Sequence, residues 1–218
     1  MTAQCVFLFD VDNTLIDNDR LQADLSAHLT EHHGAEVRDR YWAIFEALRA
    51  ELGYADYLGA LERYRLEKMH DPAILQIAPW LVGYPFADRL YPGALAAVAH
   101  VERWGEAVIL SDGDAVFQPV KIDRSGLARA FRDRVLIYIH KEQELAAVER
   151  QRPARRYVLI DDKLRILSQV KDIWGERVTT VFVAQGHYAS DKAALAQYRA
   201  ADREIAAIAD LGDIDFSA

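Results

Sequence analysis

The sequence predicts an α/β fold, a doubly wound parallel sheet, with an all-helical insert between its first and second strands. Three observations predict it. Five short apolar runs alternate with segments of helical period, the pattern of strands joined by right-handed helical crossovers. Each of the five runs ends in polar or charged residues. From about Asp19 to Leu81 the apolar residues keep helical spacing, and no run reads as a strand.

The first run, Cys5 to Phe9, is continuously apolar, as in a strand buried on both faces, and it stops at Asp10. In the insert, Leu21, Leu25 and Leu29, then Val37, Tyr41, Ile44 and Leu48, then Tyr57, Leu58, Leu61 and Tyr64 mark successive helices. Gly34 and Gly53 fall where helix ends favour positive φ, and Pro72 can open a further helix through Ile74 and Leu75. The core resumes near Asp88. Pro92 and Gly93 start a helix, and Ala107 to Leu110 forms the second strand, followed by a Ser111-Asp112-Gly113-Asp114 turn. A helix past Val116 holds Pro119 in its first turn. Val135 to Ile139 ends at His140-Lys141, Tyr157 to Ile160 ends at Asp161-Asp162, and Val178 to Ala184 ends at Gln185-Gly186-His187. Helical segments are expected from Tyr188 to Leu211. The expected division is a core of residues 1–17 and 88–218 and a helical cap of residues 18–87.

Composition bounds the partners. The chain has 218 residues, 51% hydrophobic and 28% charged, an ordinary balance for a soluble globular protein, with room for one α/β core and a small second unit. A net charge of -8 disfavours a nucleic-acid backbone as partner. Arg152, Arg155 and Arg156 around Pro153 read as a solvated turn. The single cysteine, Cys5, lies in the first strand and reads as a small buried hydrophobe. No run approaches the roughly 20 apolar residues of a membrane helix, and no signal-like segment opens the chain, so a membrane role is not expected and the cytoplasm is the default location. Oligomeric state stays open.

In open parallel sheets ligands bind beyond the carboxyl ends of the strands, so Asp10, Ser111, Lys141 and Asp161-Asp162 are expected to converge. Asp10 and Asp12 flank Val11 on one side of an extended backbone. Two such acids repel unless a cation lies between them or one takes up a proton. Asp-x-Asp-Asn is also turn chemistry, which is the alternative for this stretch alone. Asp161 and Asp162 are adjacent, so in extended backbone they point to opposite sides; an acidic helix cap is the alternative for that pair.

Asp10-Val11-Asp12-Asn13-Thr14 after an apolar strand, then Ser111, Lys141 and Asp161-Asp162 in that order, resembles the haloacid dehalogenase superfamily, whose commonest members are magnesium-dependent phosphohydrolases. The resemblance covers nearly the whole chain outside the insert. It implies a helical cap closing over the site, Asp10 as nucleophile forming an aspartyl-phosphate, and Asp12 as general acid and base. It also implies magnesium held by Asp10, the Asp12 backbone carbonyl and Asp162, with Asp161 as a ligand through water or an outer acceptor. Phosphate would be held by Ser111, Asp112 and Lys141. Lys121 is a rival to Lys141, but its place along a helix reads as solvated. Lys163 departs from the small polar residue usual there, and Ile166 stands where many relatives carry a further acid.

The expected activity is hydrolysis of a small phosphomonoester, with a phosphorylated metabolite as substrate. Alternatives of the same fold are a phosphomutase or phosphotransferase and a haloacid dehalogenase, which needs neither magnesium nor Asp12; a catalytically silent binding module is the alternative of another class. His28, His32 and His33 read as a solvated helix face rather than a metal set. Trp42, Trp80, Trp104 and Trp174 read as packing residues. Gln185 and His187 are candidate supports of the site. Asn18, Arg20, Trp42, Tyr54 and Tyr57 are unranked candidates for specificity.

Overall fold

The computed structural model describes residues 3–72 and 74–217. Six parallel strands form one sheet in the order β3-β2-β1-β4-β5-β6: β1 Ala3–Phe9, β2 Glu106–Asp112, β3 Val135–Tyr138, β4 Ala154–Asp161, β5 Val178–Val183 and β6 Arg203–Ile205. β1 lies between β2 and β4, with Phe9 opposite Ile109 on one side and Ile160 on the other. The chain therefore moves outward in one direction from β1 to β3 and in the other from β4 to β6. The carboxyl ends of β1 and β4 border that switch point, the place where such sheets open a crevice.

The sheet is covered on both faces. Phe7, Phe9, Ile109, Ile160 and Val181 pack to one side, and Val6, Leu8, Val108, Leu159 and Phe182 to the other, which is the alternation of a doubly buried sheet. The covering helices are α5 Ala94–Val101, α6 Phe117–Arg124, α7 Leu127–Ala130, α8 Leu145–Gln151 and α9 Leu164–Trp174. In α9, Leu164, Leu167, Val170, Lys171 and Trp174 recur at helical spacing and are buried. The Lys171 ammonium is not orphaned there: it donates to Val178 O at 2.8 Å and to Asp202 at 2.9 Å.

Between β1 and β2 stand α1 Asn18–His33, α2 Ala35–Leu52, α3 Tyr57–Glu67 and α4 Ile74–Gly83. Asp17 and Asp56 cap α1 and α3, their side chains accepting from Arg20 N and Gly59 N. The apolar faces of these four helices close on one another in their own cluster, Leu21, Leu25, Tyr41, Phe45, Tyr57, Leu61, Ile77 and Leu81 among them. Phe117 of α6 joins that cluster from the sheet side, packing against Tyr57 and Phe86. The insert leaves and returns side by side: Ile16 bridges Leu90, Asp17 N donates to Arg89 O at 2.8 Å, and Tyr91 N donates to Leu15 O at 2.9 Å.

The helical tail expected from Tyr188 to Leu211 is corrected. That stretch holds a 3-10 turn at His187–Ser190, the short α10 Lys192–Leu195, the edge strand β6, and a 3-10 helix Ile208–Asp213. β6 pairs Val181 to Val183 with three residues of which only Ile205 is buried. With two polar exposed residues and one apolar one, it carries no alternation to detect. No helix of the described residues is long and apolar enough to cross a membrane.

Candidate active site

Asp10 sits where β1 ends, its amide held by Ile160 O of β4 at 2.9 Å. The chain then turns tightly. Val11 O accepts from Thr14, Leu15 and Ile16, and Asn13 takes positive φ (60°), a conformation asparagine tolerates better than most. Two neighbours fix this turn. Gln185 donates from Nε2 to Asn13 O and Thr14 O, at 3.0 and 2.8 Å, and Thr14 Oγ1 accepts from Asp162 N at 3.1 Å. Gly186, at φ 72°, lies so close that a Cβ there would meet Asn13 Cβ at 2.8 Å.

Asp10, Asp161 and Asp162 each offer an oxygen within 4.8 Å of the others, and all three residues are buried. Lys141 reaches into them from the end of β3: its ammonium lies 2.5 Å from Asp10 Oδ1 and 2.7 Å from Asp161 Oδ2, and it donates to Leu110 O at 3.2 Å. Asp112 positions it, accepting from Lys141 N at 2.7 Å. The expectation that Asp161 and Asp162 diverge is corrected. Asp161 is the last residue of β4 and Asp162 sits in a bend, so strand alternation stops between them. Asp161 Oδ1 also accepts from Lys163 N at 2.7 Å, which turns the chain toward α9.

The electrostatics are unbalanced. Burial works against the charge of Lys141, but Asp10, Asp161 and Asp112 outweigh it and hold the ammonium well above the ordinary lysine range. Burial pushes the Asp161 carboxyl up to about 6, with Lys141 opposing and Asp10 adding. Burial likewise lifts Asp162 well above the carboxylate range, against the pull of Lys163. Among the described residues, Asp10 Oδ2 and both oxygens of Asp162 have no hydrogen-bond partner. Buried acceptors without donors are costly, and an all-oxygen set of this kind suits a hard dication such as magnesium. The residues present therefore fit the cation.

Asp12 is not part of that cluster. Its carboxylate pairs with Lys121 of α6 at 2.6 Å, and Gln118 Nε2 approaches it at 3.4 Å. The expectation of a solvated Lys121 is overturned: its side chain is 1% exposed, donates to Asn18 Oδ1 at 3.2 Å, and lies over the rings of Tyr57 and Phe117. Ser111 is buried at the end of β2 and accepts from Gln118 Nε2 at 2.9 Å. In the sequence Gln118 does not stand out, Lys121 enters only as a rival to Lys141, and Thr14 has no role beyond its place in the first motif. The signal for the first two lies in α6, where Phe117, Gln118, Lys121 and Ile122 share one buried face.

A cavity of about 320 Å³ opens between the strand ends and the insert, lined by Asp12, Asn13 and Asp112 on one side and Asn18, Arg49 and Tyr54 on the other. Of the specificity candidates, Asn18 and Tyr54 line it. Tyr57 is buried, its hydroxyl accepting from Asn18 and Gln22, while Arg20 pairs with Asp24 at the surface. His187 supports the wall: it pairs with Asp19 of α1 at 2.6 Å, and Asp19 also accepts from Asn13 at 2.9 Å. His28 stacks on Trp80, and the three histidines of α1 form no close ligand set among the described residues.

No family model and no curated protein matches the chain. Among solved structures, a haloacid dehalogenase-like hydrolase from Burkholderia xenovorans LB400 is 56% identical, with a TM-score of 0.94 over 97% of this chain and 96% of that one. The L-2-haloacid dehalogenase from Xanthobacter autotrophicus shares the fold at 18% identity and TM-score 0.65, over 95% and 96% of the two chains. So does the hydrolase YfnB from Bacillus subtilis, solved bound to magnesium, at 17% identity and TM-score 0.64 over the same shares. With a relative this similar along nearly its whole length, the chain belongs to the haloacid dehalogenase-like hydrolases.

Proposed function

We propose that this chain is a magnesium-dependent hydrolase of small phosphomonoesters, working through a phosphoryl group carried on Asp10. One observation carries the reading: three buried carboxylates share a pocket with one ammonium in contact, and three of their oxygens lack any hydrogen bond among the described residues. Displacement of halide by a carboxylate requires no cation, so a dehalogenase would leave the unpartnered oxygens of this acid cluster without a counter-ion. Similarity to a magnesium-bound hydrolase of the same fold is in keeping with it.

In the first step an oxygen of Asp10 attacks phosphorus, the P–O bond to the alcohol breaks, and Asp12 delivers a proton to the departing oxygen. In the second, water attacks the same phosphorus, Asp12 takes its proton, and the P–O bond to Asp10 breaks, releasing phosphate. Lys141 orients the nucleophile by holding Asp10 Oδ1. Ser111 donates a hydrogen bond to a phosphoryl oxygen, Lys141 balances the charge there, and Asp112 fixes the loop that presents Lys141. Asp10, Asp161, Asp162 and the Asp12 carbonyl would hold magnesium, which supplies Lewis-acid charge beside the phosphoryl group. The helical insert excludes water from the cavity.

The test is phosphate release from a panel of phosphorylated metabolites with and without magnesium. Turnover should require the metal and disappear on chelation. Full activity in a metal-free preparation would overturn the reading.

A further inference from the structure

The charges that line the cavity are not all accounted for by the reaction. Asp12 is neutralised by Lys121, Asp112 is engaged by the Lys141 amide, and Arg165 is taken up by Glu142 at 2.9 Å and Gln169 at 2.8 Å. Two cations are left, Lys163 and Arg49. Among the described residues Lys163 has no carboxylate in salt-bridge contact; its ammonium lies 5.4 Å above the Tyr188 ring, and it adjoins Asp162 in the chain. That places it with the acidic cluster and the phosphoryl group. Arg49 has a different address.

Arg49 lies in the last turn of α2 and is the cation that the helical insert contributes to the lining. Its Nη2 donates to the hydroxyl of Tyr188, so Tyr188 is held by Arg49 at its hydroxyl and faced by Lys163 at its ring. The other end of the guanidinium is 3.7 Å from Glu46, an exposed partner one helical turn earlier, and such a pair is worth little in water. Arg49 thus lines the cavity with one close partner, the Tyr188 hydroxyl, and one weak one, Glu46. A guanidinium oriented by a tyrosine suits a carboxylate or phosphate. A cavity of about 320 Å³ also lies at the small end of ligand sites.

We infer that the substrate is a small phosphomonoester whose alcohol portion carries a second oxyanion, a carboxylate or a second phosphate, which Arg49 binds across the cavity from the reacting phosphorus. The inference rests on the phosphohydrolase reading and narrows it. Arg49 acts here on specificity and not on the bonds that change.

The test uses the full chain with magnesium and a ladder of ω-phosphooxy carboxylic acids of two to five carbons. Each acid is paired with its neutral amide, matched alkane bisphosphates form a second arm, and p-nitrophenyl phosphate serves as a general substrate. In at least one pair the charged member should have kcat/KM about 10–100-fold above the amide, the range expected for charge-assisted hydrogen bonds. Arg49→Gln should bring that ratio close to one, and Arg49→Lys should keep part of it. Preference confined to the bisphosphate arm would support the inference with phosphate as the second anion. Equal kcat/KM for acid, bisphosphate and amide at every length, or a ratio unchanged by Arg49→Gln, would overturn it while leaving the phosphohydrolase reading in place. No hydrolysis of any substrate, p-nitrophenyl phosphate included, would overturn both.

Discussion

Two buried lysines serve two aspartates of one motif, and they do so from different surroundings. Lys141 comes from a strand end and meets Asp10 and Asp161, whose side chains are 4% and 0% exposed. Lys121 comes from the second turn of a helix and meets Asp12, whose side chain is 22% exposed, together with Asn18 of the insert. The first pairing lies wholly within the sheet's crevice; the second joins the crevice to the helices above it. Burial on both sides makes the first the more costly to break, because water cannot replace the missing partner. The second pairing ties the acid and base of the proposed reaction to the position of the insert.

The largest expected effect comes from Lys141→Met. It leaves Asp10 and Asp161 without their ammonium, and should cost about 3–5 kcal/mol in the metal-free protein and about 10²–10³-fold or more in turnover. Lys121→Met exposes Asp12 to water it already reaches and should cost about 1–3 kcal/mol. Urea denaturation of both variants measures the contrast, and equal losses would show that the two pairings are equivalent.

Asp12→Asn sharpens the comparison from the acid's side. Loss of proton transfer should lower turnover by about 10²–10⁴-fold on an alkyl phosphate. In the first-step burst the loss should be smaller for an aryl phosphate, whose leaving group needs little protonation. An equal slowing of both bursts would remove Asp12 from the acid's role.

The smallest effect is in pH. The Asp161 carboxyl rises from an ordinary value of 3.8 to about 6 in the folded chain without metal. The folded state then binds more protons than the unfolded state in that interval. Asp161 therefore lowers stability as pH rises from about 4 to about 6, by linkage between proton binding and folding. A cation needs the carboxylates ionised, so magnesium should raise the melting temperature more at pH 7.5 than at pH 5. For a chain of this size each kcal/mol corresponds to about 2–4 °C. Calorimetric scans at the two pH values read it directly, and a larger shift at pH 5 would contradict the cation site.

The contrast between the lysines also explains what could be read in advance. Strands ending in charged residues announce themselves, because a continuous apolar run stopping at Asp10 or at Asp161-Asp162 has few uses other than a crevice. Lys141 shares that signal, being two residues beyond an apolar run. Lys121 does not. Four methylenes separate its ammonium from the backbone, and a lysine within a helix reads as solvated unless its face is compared with its neighbours'. Phe117 and Ile122 lie on that face and put Gln118 and Lys121 on the buried side. Asp161 and Asp162 were legible as a pair but not in their convergence, because the bend that brings them together comes from tertiary bonds, Asp162 N to Thr14 Oγ1 and Lys163 N to Asp161 Oδ1. Arg49 meets the cavity through Tyr188, 139 positions along the chain, and no local pattern encodes that.

The side-by-side bridge of Ile16 and Leu90, with its two flanking backbone hydrogen bonds, has a consequence for how this architecture changes over time. A segment whose two ends meet at neighbouring backbone positions can be lengthened, shortened or exchanged without separating the strands that carry the acids, since the joint asks only that both ends arrive together. The helices of the insert also close a hydrophobic cluster largely of their own. On the proposed reaction, the helices that would select the substrate are spliced at one seam to the strands that would carry the chemistry, so the first can be varied while the second is kept.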